Sequence, residues 1–221
     1  MRVADDIHVA DVRGDMVFLD AARDQYFCVA RTHAVGLREV LVKGIPLKTL
    51  GEAELLEELV DAGMVIRTDG PESARLDGPS ATAASDRYTS AVPTRQLRPK
   101  DIKKLLLARL LAWARLRYQR PAGWIASQGP HRRDAPSTAA ADVIALADLF
   151  DRLRPWLPGR GCCLPSSLTL LEFLRLYGVR ATLVFGVRTY PFEAHCWIEH
   201  EGVVLNDTLE HVHWFTPIVA A

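Results

Sequence analysis

Ala194-His195-Cys196-Trp197-Ile198-Glu199-His200-Glu201-Gly202-Val203-Val204-Leu205-Asn206-Asp207 is the stretch on which the fold turns. Its β-branched and aromatic residues predict two strands, His195–His200 and Val203–Asp207, around a turn at Glu201-Gly202. His195 and Asp207 are separated by 12 positions, an even number. A three-residue loop, His200-Glu201-Gly202, makes them direct antiparallel partners on one face, whereas a two-residue Glu201-Gly202 turn puts them on opposite faces. The three-residue loop is the expectation, because Gly202 then takes the left-handed position. That register also places Trp197 and Leu205 beside the pair.

Upstream, Cys163 opens an apolar segment that predicts a helix to Tyr177, with Pro165 in its first turn and Gly178 as its stop. A strand follows at Ala181–Arg188. The order of thiol, imidazole and carboxylate then carries a chemistry. A helix N-terminus stabilises a thiolate, an imidazole takes and returns its proton, and a carboxylate behind the ring fixes its tautomer. Two blander readings stand beside this one: an inert buried cysteine, and His-x-Trp as ordinary strand packing. A zinc site from Cys162, Cys163, His195, Cys196 and His200 is a rival, but adjacent cysteines are poor joint ligands and no C-x-x-C spacing is present. His200, His211 and His213 are expected at the surface or at strand ends.

The first part of the chain reads differently. Ile7–Val12, Met16–Asp20 and Gln25–Ala30 predict three short strands, followed by a helix over Thr32–Lys43 ended by Gly44. Thr49-Leu50-Gly51-Glu52 has the form of a capping box opening a helix Glu52–Ala62, with Leu55, Leu56, Leu59 and Val60 on one face. Three consecutive strands leave an exposed edge. Thr68–Pro93, rich in Gly, Pro, Ser, Ala and Asp, reads as a flexible tether. Met1–Gly70 carries 8 basic and 13 acidic residues, so the remainder is basic by the same margin. Much of that basic charge falls on a helix over Pro99–Gln119, which also carries Leu105, Leu106, Leu110 and Leu111. It is expected to be a packed amphipathic helix with a solvated face rather than a nucleic-acid contact. Another helix is expected over Thr138–Leu153.

Composition bounds the rest. The chain has 221 residues and 24.6 kDa, 49% hydrophobic and 24% charged, with 27 Lys plus Arg against 27 Asp plus Glu. Those are globular values and the net charge of zero singles out no partner. Neither a signal peptide nor a membrane span is expected. Four cysteines are too few for a disulfide scaffold, which points to a reducing, cytoplasmic setting.

Cys163-Leu164-Pro165-Ser166-Ser167-Leu168, Leu183-Val184-Phe185-Gly186-Val187-Arg188, Ala194-His195-Cys196-Trp197-Ile198-Glu199 and Leu205-Asn206-Asp207 occur in that order. Over about Pro99 to the C-terminus, including Ala139–Arg154 and its trailing Arg-Pro-Trp-Leu-Pro, the chain resembles the transglutaminase-like peptidase of lasso peptide biosynthesis, the B protein. The resemblance implies Cys163 as nucleophile, His195 as base and Asp207 as the acid. Cys196 departs from the usual Ala, and Cys162 is an unusual neighbour. Residues 1–67 resemble the family's precursor-recognition element, here fused through residues 68–93 to a peptidase over 94–221. The implied fold is α+β: an N-terminal three-stranded, winged-helix-like domain and a C-terminal transglutaminase/papain-like cysteine peptidase domain. A leader peptide would add as a strand at Gln25–Val29. Tyr26, Phe27, Cys28 and Val29, with Leu55 and Leu59, are then the leader-contacting set, although each alone is equally readable as core. The implied activity is ATP-independent release of a lasso core peptide, with no cofactor or metal and with an ATP-dependent lasso cyclase (macrolactam synthetase) as partner. A transglutaminase or acyltransferase with the same triad, a non-catalytic peptide-binding adaptor and a nucleic-acid regulator are the alternatives.

Overall fold

The computed structural model describes residues 1–43, 49–68, 83–89, 95–119, 123, 140–157 and 162–221. The chain begins with β1 (Arg2–Val3), β2 (Ile7–Val12), β3 (Asp15–Asp20) and β4 (Gln25–Val29), followed by α1 (Arg31–Lys43), α2 (Leu50–Asp61) and β5 (Val65–Ile66). Strand β6 (Ser85–Asp86) precedes three helices, α3 (Pro99–Tyr118), α4 (Ala140–Leu153) and α5 (Cys163–Leu176). The chain closes with β7 (Thr182–Arg188), β8 (Glu193–His200), β9 (Val203–Val204), α6 (Leu209–Val212) and β10 (Thr216–Ala220). The result is mixed α+β, with a small N-terminal sheet and a larger C-terminal one.

The N-terminal sheet has the order β2-β3-β4, antiparallel throughout, so β4 has one free edge among the described residues. Strict alternation splits its side chains between two faces. Ile7, Val9, Met16 and Phe18 face one way, with Leu37 and Leu41 of α1 and Leu56 and Leu59 of α2. Ala10, Val12, Val17 and Leu19 face the other way, into the C-terminal core with Leu168, Phe173, Ile198 and Ile218. Covered on both sides, β3 is buried along its whole length. Helix α2 starts as its sequence predicts: the Thr49 hydroxyl accepts from Glu52 N–H at 3.3 Å and Glu52 Oε2 accepts from Thr49 N–H at 3.2 Å. The expected Gly44 stop lies outside the described residues.

The C-terminal sheet has the order β10-β7-β8-β9-β6. Helix α5 packs on one face of it. On the far side of α5 lies α3, which buries Leu105, Ala108 and Ala112. Leu106 and Leu110, expected in that packing, instead lie exposed at 59% and 57%. The buried stripe consists of Leu105 and the small residues Ala108 and Ala112, while Leu111, also expected in the packing, lies exposed with Leu106 and Leu110. Among the described residues no helix is long and apolar enough to cross a membrane.

Part of the expected tether is ordered structure. Ser85–Asp86 pairs in parallel with Val203–Val204, and Ala84 N–H donates to Gly202 O at 2.8 Å. Arg87 is buried and paired with Asp148 and Asp151 of α4. A polar segment without its own core is held here by backbone pairing to a ready edge and by a buried guanidinium whose two carboxylate partners remain partly exposed. Residues 69–82 and 90–93 of the same stretch lie outside the described residues.

Candidate active site

The hairpin that carries His195 does not have the expected loop. Glu199 pairs with Val204 and His200 with Val203, so the turn has two residues, Glu201 and Gly202. Both are left-handed, at φ 48° and 79°, as the favoured tight hairpin turn requires. The expectation failed because it gave the left-handed position to glycine alone. Val204, not Leu205, therefore shares the face of Trp197, while Leu205 joins Ile198 in the core beneath α5.

That register alone would put His195 and Asp207 on opposite faces. They meet because the strand ends early. After Val204 regular pairing stops, and the Asn206 side chain takes the place of a backbone partner, accepting Ile198 N–H at 2.8 Å. The Asn206 amide donates to Ser167 Oγ at 2.8 Å, and Ser167 Oγ–H donates to Cys196 O at 3.2 Å. This chain ties the first turns of α5, strand β8 and the segment after β9 to one another. It re-aims Asp207 to receive His195 Nε2 at 2.5 Å.

Cys163 is the first residue of α5, where backbone N–H groups lack helical partners and the dipole favours negative charge. Its neighbour Cys162 is exposed, and Cys196 is buried on β8 beneath. An ionised carboxylate only accepts, so the His195 nitrogen facing Asp207 carries hydrogen and the other ring nitrogen is left for the sulfur. Hydrogen bonds from the Cys196 thiol and then from His195 draw the Cys163 thiol down to about 4, against the opposing effect of burial. The same contact and burial push the Cys196 thiol well above its ordinary range. Burial alone would lower His195, but its bonds to Asp207 and Cys163 prevail and raise it to about 9. Burial likewise works against ionised Asp207, yet bonds from His195, His211 and Thr208 N–H hold its carboxyl below the usual range. The combined effect is a thiolate–imidazolium pair across the neutral range.

A cleft of about 880 Å³ opens over Cys163, His195 and Asp207. Phe150, Leu157 and Leu164 form apolar wall, and Arg109, Arg154 and Glu193 supply charge. The histidine ring is held by aromatic neighbours, with Phe215 at 5.1 Å and Trp197 at 6.0 Å between centroids. Gly186 pairs directly with His195, and a Cβ there would meet Trp197 at 2.7 Å and Phe215 at 2.8 Å. The close approach of these rings requires glycine.

His211, expected at the surface, belongs to this cluster. Its Nδ1 donates to Asp207 Oδ2 at 2.8 Å and its ring centre lies 4.9 Å from that of His195. The signal was available in Asp207-Thr208-Leu209-Glu210-His211, a Thr-capped turn with Asp and His four apart on one face. His200 instead places its Nδ1 on Arg180 O at 2.7 Å, and His213 is exposed. Of the rival zinc set, Cys163, His195 and Cys196 meet one another, whereas His200 is turned to Arg180 O and Cys162 is exposed. Among the described residues His195, Asp207 and His211 are the group that offers one metal-ligand atom each within 4.8 Å of one another.

The six residues expected at the leader-binding edge fall on two faces. Val29 and Leu59 are buried in the helix-covered core of the N-terminal sheet, with Phe27 and Leu55 at its margin. Tyr26 packs against the C-terminal core, its ring 5.5 Å from Phe192 beside the cleft residues Glu193 and Ala194. Burial, and then neighbouring acidic groups led by Asp24, push the Tyr26 hydroxyl up to about 12. Cys28 is exposed.

Over 45 residues the chain is 47% identical to the microcin J25-processing protein McjB of Escherichia coli, a match that covers 20% of this chain and 22% of that protein. The chain therefore matches about a fifth of the length of this curated relative. No solved structure matches the chain. Residues 105–220 match the transglutaminase-like superfamily. With a thiol at a helix start, a histidine on the following hairpin and a carboxylate behind the ring all inside the matched span, the chain belongs to the transglutaminase-like superfamily.

Proposed function

We propose that the chain is a cysteine peptidase that releases the core of a ribosomally made lasso precursor from its leader. The observation that carries the reading is the continuous line of contact from Cys163 through His195 to Asp207, with an acidified thiol at one end and an ionised carboxylate at the other. The resemblance to lasso B proteins and the partial identity with McjB support the substrate class.

Cys163 thiolate attacks the scissile carbonyl carbon. The oxyanion is held by the Cys163 backbone N–H at the helix start. His195 imidazolium gives its proton to the leaving amine, and a thioester remains on Cys163. His195, now neutral, draws a proton from water as the water attacks the thioester, and the leader departs with a free carboxylate. Asp207 keeps the ring in the tautomer that both steps need.

Residues 1–67 are read as a winged-helix-like recognition module and residues 94–221 as the peptidase. The leader pairs with the free edge of β4, where backbone groups await a partner. Because Ala10, Val12, Val17 and Leu19 share a core with the peptidase, capture and cleavage occur on one frame. The released core passes to an ATP-dependent macrolactam-forming cyclase, and the setting is cytoplasmic.

The test is cleavage of a leader-bearing precursor followed by mass spectrometry. Cys163→Ala should abolish cleavage and retain precursor binding, while Cys162→Ala should still turn over. A product bearing an added amine in place of water would identify an acyltransferase instead. A Cys163 that reacts with iodoacetamide no faster than an ordinary thiol would mark a binding adaptor without catalysis.

A further inference from the structure

We infer that His211 is a positioning residue: by donating to the carboxylate oxygen that also receives His195, it fixes Asp207 and through it the imidazole. The inference rests on the peptidase reading for its kinetic consequence, but its geometry is independent of that reading.

Asp207 Oδ2 takes His195 Nε2 at 2.5 Å and His211 Nδ1 at 2.8 Å, while Oδ1 takes Thr208 N–H at 2.7 Å. A carboxylate with a single imidazole donor can rotate about its last bond or draw the proton toward itself. Three donors remove both freedoms, because each lone pair engaged by hydrogen lowers the basicity left for His195. The proton then stays on the ring, where a leaving amine needs it. His211 is itself seated. Thr208 Oγ1 accepts its backbone N–H at 3.2 Å, and Asp86 Oδ2 accepts Leu209 N–H at 2.8 Å, pinning α6 to β6. Trp214 meets the His211 ring edge-on at 5.2 Å and Phe215 at 5.4 Å. The charged groups around it are Asp207 and His195, Glu210 and the anchoring Asp86 on its own side, and the Arg188–Glu193 pair, whose guanidinium stacks over Trp214 and Phe215. His211 also lines the cleft, so a substrate-contact role is the rival.

The experiment compares His211→Ala, His211→Asn and His211→Gln in the full chain. Two measurements are made: steady-state cleavage of the precursor, and the pH profile of iodoacetamide alkylation at Cys163 read by peptide mapping. Loss of one charge-assisted hydrogen bond should lower kcat about ten- to a hundredfold in the Ala variant with KM unchanged. The midpoint of Cys163 alkylation should move up in pH. Asn, whose amide N–H sits near the Nδ1 position, should recover kcat to within about threefold and restore the alkylation profile, given that it replaces one donor by another. Gln, with its donor one bond further out, should not. Wild-type kcat and alkylation in the Ala variant would overturn the inference. So would a rise in KM shared equally by all three variants, which would mark a substrate contact. A chain that never cleaves the precursor but whose thiol profile still depends on His211 would overturn the peptidase reading and leave His211's role standing.

Discussion

The three-stranded N-terminal sheet and the five-stranded C-terminal sheet solve different problems with similar strands. The N-terminal sheet buries apolar side chains on both faces; among the described residues it leaves open a strand edge at β4. The C-terminal sheet places the imidazole on β8 and the carboxylate just past β9, where the hairpin loses regularity, and the start of α5 brings the thiol to them. Affinity for an extended peptide needs only unpaired backbone, whereas proton transfer needs side chains fixed to within fractions of an ångström. On the proposed function, the regular sheet would supply the first and the interrupted one the second.

The sharpest way to break this division is Cys163→Ala, which should eliminate precursor cleavage while isothermal titration of the leader stays unchanged. Loss of binding together with cleavage would mean that the two sheets do not divide the labour. Asp207→Asn should follow, with a loss of about 10²–10⁴ in rate, measured by single-turnover cleavage. Next comes acidity. With Cys163 at about 4 and His195 at about 9, activity should form a plateau between these values. It should fall about tenfold per pH unit below the plateau as the thiolate is protonated, and above it as the imidazolium loses its proton. The smallest effect on rate belongs to the seam between the sheets. Leu19→Ala removes a side chain that is 3% exposed and shared with the C-terminal core. It should cost about 2–5 kcal/mol of stability, with one cooperative urea transition for the whole chain. Two separate transitions, only one of them shifted, would restore the picture of a loosely tethered module.

Local signals were legible in the sequence. Strand β2 spans Ile7–Val12 as expected, the Thr49 capping box is formed, and the helix opened by Cys163 begins where the apolar run and Pro165 place it. Failures came where one segment borrows its structure from a distant one. Ser85–Asp86 has no strand character of its own and is ordered by β9. Thr216–Ala220, with Pro217 inside it, was not predicted as a strand and pairs with β7 across a helix and two strands. The hairpin was misjudged for a different reason: Glu201 adopts a left-handed conformation uncommon for a residue with a side chain, and the return of Asp207 to His195 rests on bonds from Asn206 to Ile198 and Ser167, residues distant in sequence. His211 was expected at the surface or a strand end because a four-residue helix carries too little periodicity to show which face turns inward, although the Asp207–His211 spacing was there to be read.

Gly186 sets the seat of the imidazole by what it lacks. A single methyl group at that strand position would intrude on the indole of Trp197 and the benzyl carbon of Phe215, and both rings bear on His195. The seat of the His195 ring is thus written into a neighbouring strand that adds no titratable side chain of its own at that position. Enlarging that one hydrogen would act on turnover as a wedge acts on a lever, from the side opposite the substrate.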